Sequence, residues 1–167
     1  MSPQFTSRSV TPADLPAISE LHAKTFGPGR FVRTAYRVRE GTPAISRYCR
    51  ATYLGDRLIA AVRMTPISIG GAEGALLLGP LVVDPDFAGQ GFGKRLIAEV
   101  IEAAKVDGQR LVLLVGDEPY YGRFGFRPVP PGQIAMPGPV NPQRLLAAEL
   151  ADGAMAEMCG LVAGVPG

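Results

Sequence analysis

An apolar run at 75–83 (ALLLGPLVV) feeds through a short turn and three alternating glycines into an amphipathic stretch at 91–106. A second apolar run, RLVLLV at 110–115, follows. This order constrains the chain more than any other stretch in it. Leu96, Ile97, Val100, Ile101 and Ala104 recur at helical spacing, with Glu99, Glu102 and Lys105 opposite, so 91–106 is expected to be a helix ended by Asp107-Gly108. Strand, helix and apolar strand in succession imply a right-handed crossover and a parallel pair buried on both faces.

The same stretch is a generic anion cradle. The first amides of a helix have no partner within it, and glycine lets them approach a phosphate closely. Lys94 and Arg95 oppose the helix dipole, which costs a few tenths of a kcal/mol unless an anion sits nearby; the alternative is that both are simply solvated. Gly79-Pro80 interrupts the preceding strand. Proline cannot donate to a ladder, so the pair reads as a bulge that frees backbone groups for a ligand, or as an edge proline.

Upstream, 5–10 suits a first strand. Thr11-Pro12-Ala13-Asp14 reads as a helix start, and Leu15, Ile18, Leu21 and Phe26 share one side, with Gly27-Pro28-Gly29 as the stop. His22 lies beside that apolar side. A second helix is expected over 30–40; Arg30, Arg33, Arg37 and Arg39 either form a cationic face for an acidic ligand or, more simply, are solvated. Runs at 48–54 and 57–69 read as strands joined at Gly55-Asp56. Gly70-Gly71 and Gly74 turn the chain into 75–83, giving three consecutive antiparallel strands. After 110–115, Asp117 can cap a short helix holding Tyr120, Tyr121 and Arg123, and 126–129 starts another strand. Beyond Pro130 prolines break the chain repeatedly; 143–150 reads as one or two helical turns and 158–162 as a last strand.

With 167 residues, 47% hydrophobic and 19% charged, the chain is expected to form one domain, 1–167, of a soluble, cytoplasmic protein. A net charge of +2 without a basic run argues against nucleic acid as a partner. Cys49 and Cys159 with a single histidine argue against a metal site and a disulfide framework. The N-terminus lacks the apolar core of a signal peptide, and no apolar run is long enough to span a bilayer, so no membrane partner is expected.

Three phosphate-cradling loops compete for 84–95. A P-loop fails, because Ala88 stands at its first glycine and Arg95 follows Gly93-Lys94. A dinucleotide loop wants its glycines directly after the strand, and here 84–88 intervene; Asp117 as a ribose-binding acid keeps that reading open. The third rests on resemblance. LVVDPDFAGQGFGKRL at 81–96 resembles the acetyl-CoA-binding motif of the GNAT superfamily of N-acetyltransferases, and YYGRFGF at 120–126 resembles the short-helix signature of that family. The two blocks stand in the right order, separated by one helix and one buried strand. The run GDEPYYGRFGF looks especially like the YhbS-type branch, and the specific likeness covers 79–128.

The resemblance implies an α/β fold with a mixed sheet, antiparallel N-terminal strands joined to a parallel strand–helix–strand core. It implies acetyl-CoA as cosubstrate without a metal, transfer of its acetyl group to a primary amine by direct attack, and a small-molecule or peptide amine as acceptor. The protein would be a monomer or homodimer. Leu81, Val82 and Val83 would pair with the pantetheine arm, with a backbone N–H such as that of Val82 polarising the thioester. Ala88, Gly89, Gln90, Gly91, Phe92, Gly93 and Lys94 would hold the pyrophosphate through their amides, although Ala88 stands where the family has Arg or Gln. Tyr121 would protonate the departing thiolate, with Tyr120 as the fallback. No carboxylate lies in 76–83 to serve as general base, which leaves Glu118, His22 or water. A catalytically silent acyl-CoA-binding module on the same fold is the alternative to an enzyme.

Overall fold

The computed structural model describes residues 4–26 and 34–166. Strand β1 (Phe5–Ser9) leads through a short 3-10 turn (Pro12–Asp14) into helix α1 (Leu15–Phe26). Asp14 sets that entry, accepting the Thr11 N–H at 2.7 Å. The glycine stop at 27–29 and the first part of the helix expected over 30–40 lie outside the described residues. The remainder is helix α2 (Thr34–Arg39).

Strands β2 (Arg50–Leu54), β3 (Arg57–Ile69) and β4 (Ala72–Val83) form the expected antiparallel meander, with β1 added to the outer edge of β2. Its turns follow backbone sterics. Gly70 and Gly71, at φ 59° and 87°, are both left-handed, as a two-residue hairpin turn with the native strand twist requires. Gly74 lies inside β4 rather than in the turn.

Helix α3 (Phe92–Val106) then crosses to strand β5 (Leu111–Val115), which pairs in parallel with β4. The fold is therefore a mixed sheet, in the order β1-β2-β3-β4-β5 and onward through two later strands, β8 (Leu145–Glu149) and β6 (Arg127–Pro128). Short helix α4 (Glu118–Tyr121) follows β5. Strand β7 (Ile134–Ala135), helix α5 (Ala154–Glu157) and strand β9 (Gly160–Gly164) complete the chain, with β9 lying against the far end of β3.

The segment 143–150 is a strand, not the helical turns its sequence suggested. Leu145, Leu146, Ala147 and Ala148 are all buried, because β8 lies between β5 and β6 and is covered on both faces. A short strand of this kind carries no alternation, so periodicity cannot separate it from a buried helical turn. The last strand begins two residues later than expected, at Gly160.

The sheet has a packed layer on each side. Leu96, Ile97, Val100 and Ala104 of α3 are fully buried against Ile59, Met64, Leu76, Leu78, Val112 and Leu114. Each large side chain so buried contributes roughly 1.5–3 kcal/mol. On the opposite face, Leu21 of α1 packs with Ala51, Leu58, Ala61 and Val82, while Val38 of α2 packs with Ile67, Leu77 and Leu113. Along β4 the face assignment changes parity. Leu76 and Leu78 point to the α3 layer, and beyond Gly79-Pro80 it is Leu81 and Val83 that do so. One extra residue in the strand produces that reversal.

Candidate functional site

The extra residue is visible in the register. Met64 stands opposite Leu78 and Val62 opposite Leu81, so the single residue Arg63 faces the pair Gly79-Pro80. The bulge expected from the sequence is present, and its peptide bond is cis. On the other edge of β4, pairing to β5 covers only Ala75, Leu76 and Leu77, opposite Leu111, Val112 and Leu113. Past that point β4 stays with β3 and β5 stays with β8, so the two strands part. A cavity of about 1020 Å³ occupies the gap. Leu78, Gly79, Pro80 and Leu81 line one side, Val115, Gly116, Tyr120 and Tyr121 another, and α1 and α2 close it with His22, Arg37 and Arg39.

Beyond the bulge β4 offers backbone groups to this gap. The Asp84 N–H donates to the Ile59 carbonyl at 2.7 Å. Amides alternate along a strand, so the Val82 amide also points toward β3, whereas those of Leu81 and Val83 point to the open edge. The amide singled out from sequence, that of Val82, is therefore engaged in the sheet, and its side chain is buried in the α1 layer. Leu81 is the first residue after the proline that can donate into the gap.

The glycine turn continues the same edge. Ala88, Gly89, Gln90 and Gly91 are exposed, with Gly89 and Gly91 left-handed at φ 77° and 88°. Gly91 is the N-cap of α3 and brings no capping side chain, so the first amides of the helix, those of Phe92, Gly93 and Lys94, keep their free direction. Phe92 itself is buried against Phe5 at 4.8 Å between ring centroids, which anchors the helix start. Gly93 sits where space is shortest. A Cβ there would fall 2.9 Å from the Tyr120 hydroxyl and 3.6 Å from the side chains of Leu81 and Val83. Leu81, Val83, Gly93 and Tyr120 thus converge, although of the residues expected to bind the cofactor only Leu81 lines the cavity, with 82–83 and 88–94 outside its wall. Lys94 is exposed, and Arg95 pairs with Glu99 one turn on, at 3.4 Å.

Tyr120 and Tyr121 pack edge to face, 4.9 Å between centroids, on the short helix that follows β5. Tyr121 lies over Gly116, where any Cβ would come within 2.5 Å of its ring. Gly116 is therefore the residue that lets α4 fold back onto the cavity. Burial, reinforced by Tyr120 and Asp117, pushes the Tyr121 phenol up to about 12. Burial also raises Tyr120 above the ordinary phenol range. Both hydroxyls hold their protons at neutral pH.

At the opposite end the wall is cationic, lined by Arg37, Arg39 and Arg63; the lining pair Arg144 and Asp117, 3.4 Å apart, lies beside the tyrosines instead. That pairing occupies the carboxylate the dinucleotide reading required, and the antiparallel strands upstream do not form a doubly wound sheet. Arg39 departs from the expectation of solvated arginines. It is half-buried, its Nε is buried with no hydrogen-bond partner, and a Cβ on Gly79 would lie 3.0 Å from its Nη2. Arg63 escaped notice in the sequence, where nothing marks it; only the register sets it against the bulge. Of the candidate bases, His22 lines this cavity and Glu118 does not. Among the described residues no group of three or more His, Cys, Asp or Glu is placed to hold a metal. No described helix is long and apolar enough to cross a membrane.

Known proteins resemble this arrangement. A family model described as an acetyltransferase (GNAT) domain matches residues 46–128. The chain is 30% identical over 130 residues to YjhQ of Escherichia coli strain K12, described as an uncharacterized N-acetyltransferase, covering 74% of this chain and 70% of that one. It is 26% identical over 152 residues to YhbS of the same strain, described likewise, covering 90% of each. The crystal structure of E. coli YhbS in complex with CoA superposes with a TM-score of 0.83 at 24% identity, over 99% of this chain and 92% of that one. A GNAT acetyltransferase from Brucella melitensis in complex with acetyl-CoA gives 0.62 at 28% identity, over 87% of this chain and 96% of that one.

Proposed function

Because this chain belongs to the GNAT acetyltransferase family, we propose that it transfers the acetyl group of acetyl-CoA to a primary amine by direct attack. The whole of 1–167 acts as one such domain in this reading. The observation that carries it is the parting of β4 from β5 at the Gly79-Pro80 bulge, which leaves the Leu81 and Val83 amides at an open edge beside a glycine-lined helix start.

The residues present fit that cosubstrate. The amides of 88–94 would hold its pyrophosphate, with Gly93 keeping the first turn of α3 clear of the Tyr120 hydroxyl. Leu81 and Val83 would pair with the amide-bearing arm, and the Leu81 N–H would donate to the thioester oxygen as negative charge develops there. A preorganised donor of this kind is worth about 3–4 kcal/mol. Acetyl-CoA supplies an activated acyl group, and a neutral amine supplies the electron pair. As the new C–N bond forms and the C–S bond breaks, the Tyr121 hydroxyl gives its proton to the leaving sulfur. A phenol held near 12 is a reluctant acid, but the same dry surroundings raise the affinity of a thiolate for protons, so donor and acceptor shift together. The amine must lose a proton, for which His22 of α1 is the candidate base that lines the cavity. A cytoplasmic location, where Cys49 and Cys159 stay reduced, goes with this reading.

The test is acetyl-CoA consumption with a panel of primary amines, with acetylated product identified by mass. Transfer to at least one amine is the expected result. Saturable acetyl-CoA binding with no transfer to any amine would identify a silent binding module instead.

A further inference from the structure

Resting on that reading, we propose that Asp84 is a positioning residue for the cosubstrate: its buried carboxylate sets the direction of the amides at 88–94 that receive the pyrophosphate of acetyl-CoA. Ala88, Gly89, Gln90 and Gly91 are all exposed, and Gly89 and Gly91 are left-handed, so packing of their own side chains does little to fix where the amides point. Amide hydrogen bonds weaken steeply as they bend, so a turn that swings freely binds an anion poorly. The direction has to come from the two ends of the turn.

Asp84 builds the entry. Its N–H donates to the Ile59 carbonyl at 2.7 Å, which keeps it on β3. Its carboxylate accepts the Asp86 N–H at 2.9 Å and its carbonyl accepts the Phe87 N–H at 2.8 Å, which turns the chain into the 3-10 turn Pro85–Phe87. Only 4% of the residue is exposed, and a carboxylate so buried needs partners. Arg57, from the start of β3, meets it at 3.1 Å, and Lys24, from the last turn of α1, at 3.4 Å. Arg57 also reaches Asp86 at 2.8 Å and lies over the Phe87 ring at 5.0 Å, so one guanidinium grips the turn along its length. The Asp86 N–H, chiefly, with both cations, holds the Asp84 carboxyl below the ordinary carboxylate range against the opposing effect of burial, and it is ionised at neutral pH.

Phe87 carries the constraint to the exit. Its ring packs against that of Phe92, the first residue of α3, at 6.1 Å, and both meet Phe5, at 6.3 and 4.8 Å. A shift at Asp84 is therefore passed to the first turn of α3. Through Lys24 the same carboxylate ties the cosubstrate turn to α1, whose Ile18 and His22 line the cavity.

The experiment titrates acetyl-CoA by calorimetry into the wild-type protein and into Asp84→Ala, Asp84→Asn and Asp14→Asn. Asp14 is the control, a carboxylate that is likewise 4% exposed but belongs to the entry of α1. Asp84→Ala should weaken acetyl-CoA about tenfold. Asp84→Asn, whose side-chain oxygen can still accept the Asp86 N–H, should bind within about threefold of wild type, and Asp14→Asn should bind as wild type does despite its lower stability. In transfer assays the KM for acetyl-CoA should follow these affinities, while acceptor KM at saturating acetyl-CoA stays within about twofold. If Asp84→Ala does not fold, Asp84→Ser replaces it and should bind more weakly than Asp84→Asn. Wild-type affinity in the Ala or Ser variant, an Asn variant no better than either, or equal weakening by Asp14→Asn overturns the role of Asp84 while leaving acetyl transfer standing. A wild-type protein that binds no acetyl-CoA overturns both readings. One that binds it and acetylates no amine fails the transfer reading alone, and the affinities still decide the role of Asp84.

Discussion

The two ends of the cleft between β4 and β5 are built from different materials. At the α3 end the polar groups are backbone amides, those of the open edge at Leu81 and Val83 and those of the glycine turn at 88–93 on the adjoining surface. At the α2 end they are guanidinium groups from Arg37, Arg39 and Arg63, brought together from one helix and one strand. A backbone cradle serves one invariant ligand and depends on conformation, so side-chain changes disturb it little. A side-chain cluster sets what it accepts residue by residue, so it is where relatives of one fold can differ in acceptor. Tyr121 stands between the two.

Substitutions can break or sharpen that contrast. Tyr121→Phe is expected to have the largest effect, because a positioned general acid contributes about a hundredfold or more. Its kcat should fall by about that factor with acetyl-CoA binding and acceptor KM little changed, measured by steady-state kinetics alongside calorimetry. Tyr120→Phe should cost less, and unchanged turnover in Tyr121→Phe would remove that residue from the chemistry.

Asp14→Asn lies away from both ends and calibrates pure loss of stability. The buried Asp14 carboxylate accepts from Arg8 at 2.7 Å, from the Tyr53 hydroxyl at 2.6 Å and from the Thr11 N–H at 2.7 Å. The Arg8 hydrogen bond, chiefly, holds its pKa well below the ordinary carboxylate value. Its stabilisation is therefore complete above the unfolded carboxylate range and is lost as pH falls through the folded pKa. The variant should lose about 2 kcal/mol at neutral pH by denaturant melting and show a shallower acid limb, with ligand affinities unaltered.

Gly91→Ala tests the backbone end alone. A side chain at φ 88° costs about 1–2 kcal/mol, so the N-cap should shift and weaken acetyl-CoA about tenfold by titration, leaving any discrimination among acceptors intact. Arg37→Gln should have the smallest effect. Arg37 is exposed where Arg39 is half-buried, so its removal should change acceptor KM by no more than about threefold.

The contrast between the ends also explains what could be read from sequence. The crossover at 75–115 was legible because each of its signals is local: an apolar run, glycines at a turn and a helical stripe. The bulge was legible because proline cannot donate. Which amide it would free was not, since that depends on the parity of pairing with β3, which turns the Val82 amide into the sheet and leaves that of Leu81 at the open edge. The arginine end was hidden for a related reason. Arg39 and Arg63 are far apart in the chain and meet only because α2 packs on the sheet beside the bulge, and a lone arginine in a strand looks like any other. Strand β8 was misread as helical because burial on both faces erases its alternation.

The central claim is that one cleft joins a backbone cradle to a cationic wall across the bulge at Gly79-Pro80. A crystal structure of the protein with acetyl-CoA tests it most directly. The account predicts the pyrophosphate against the amides of 88–94, the arm along Leu81 and Val83, and the acetyl group between the Leu81 N–H and Tyr121, facing Arg39 and Arg63. An acetyl group directed away from those arginines, or a pyrophosphate held elsewhere than at the start of α3, would contradict it.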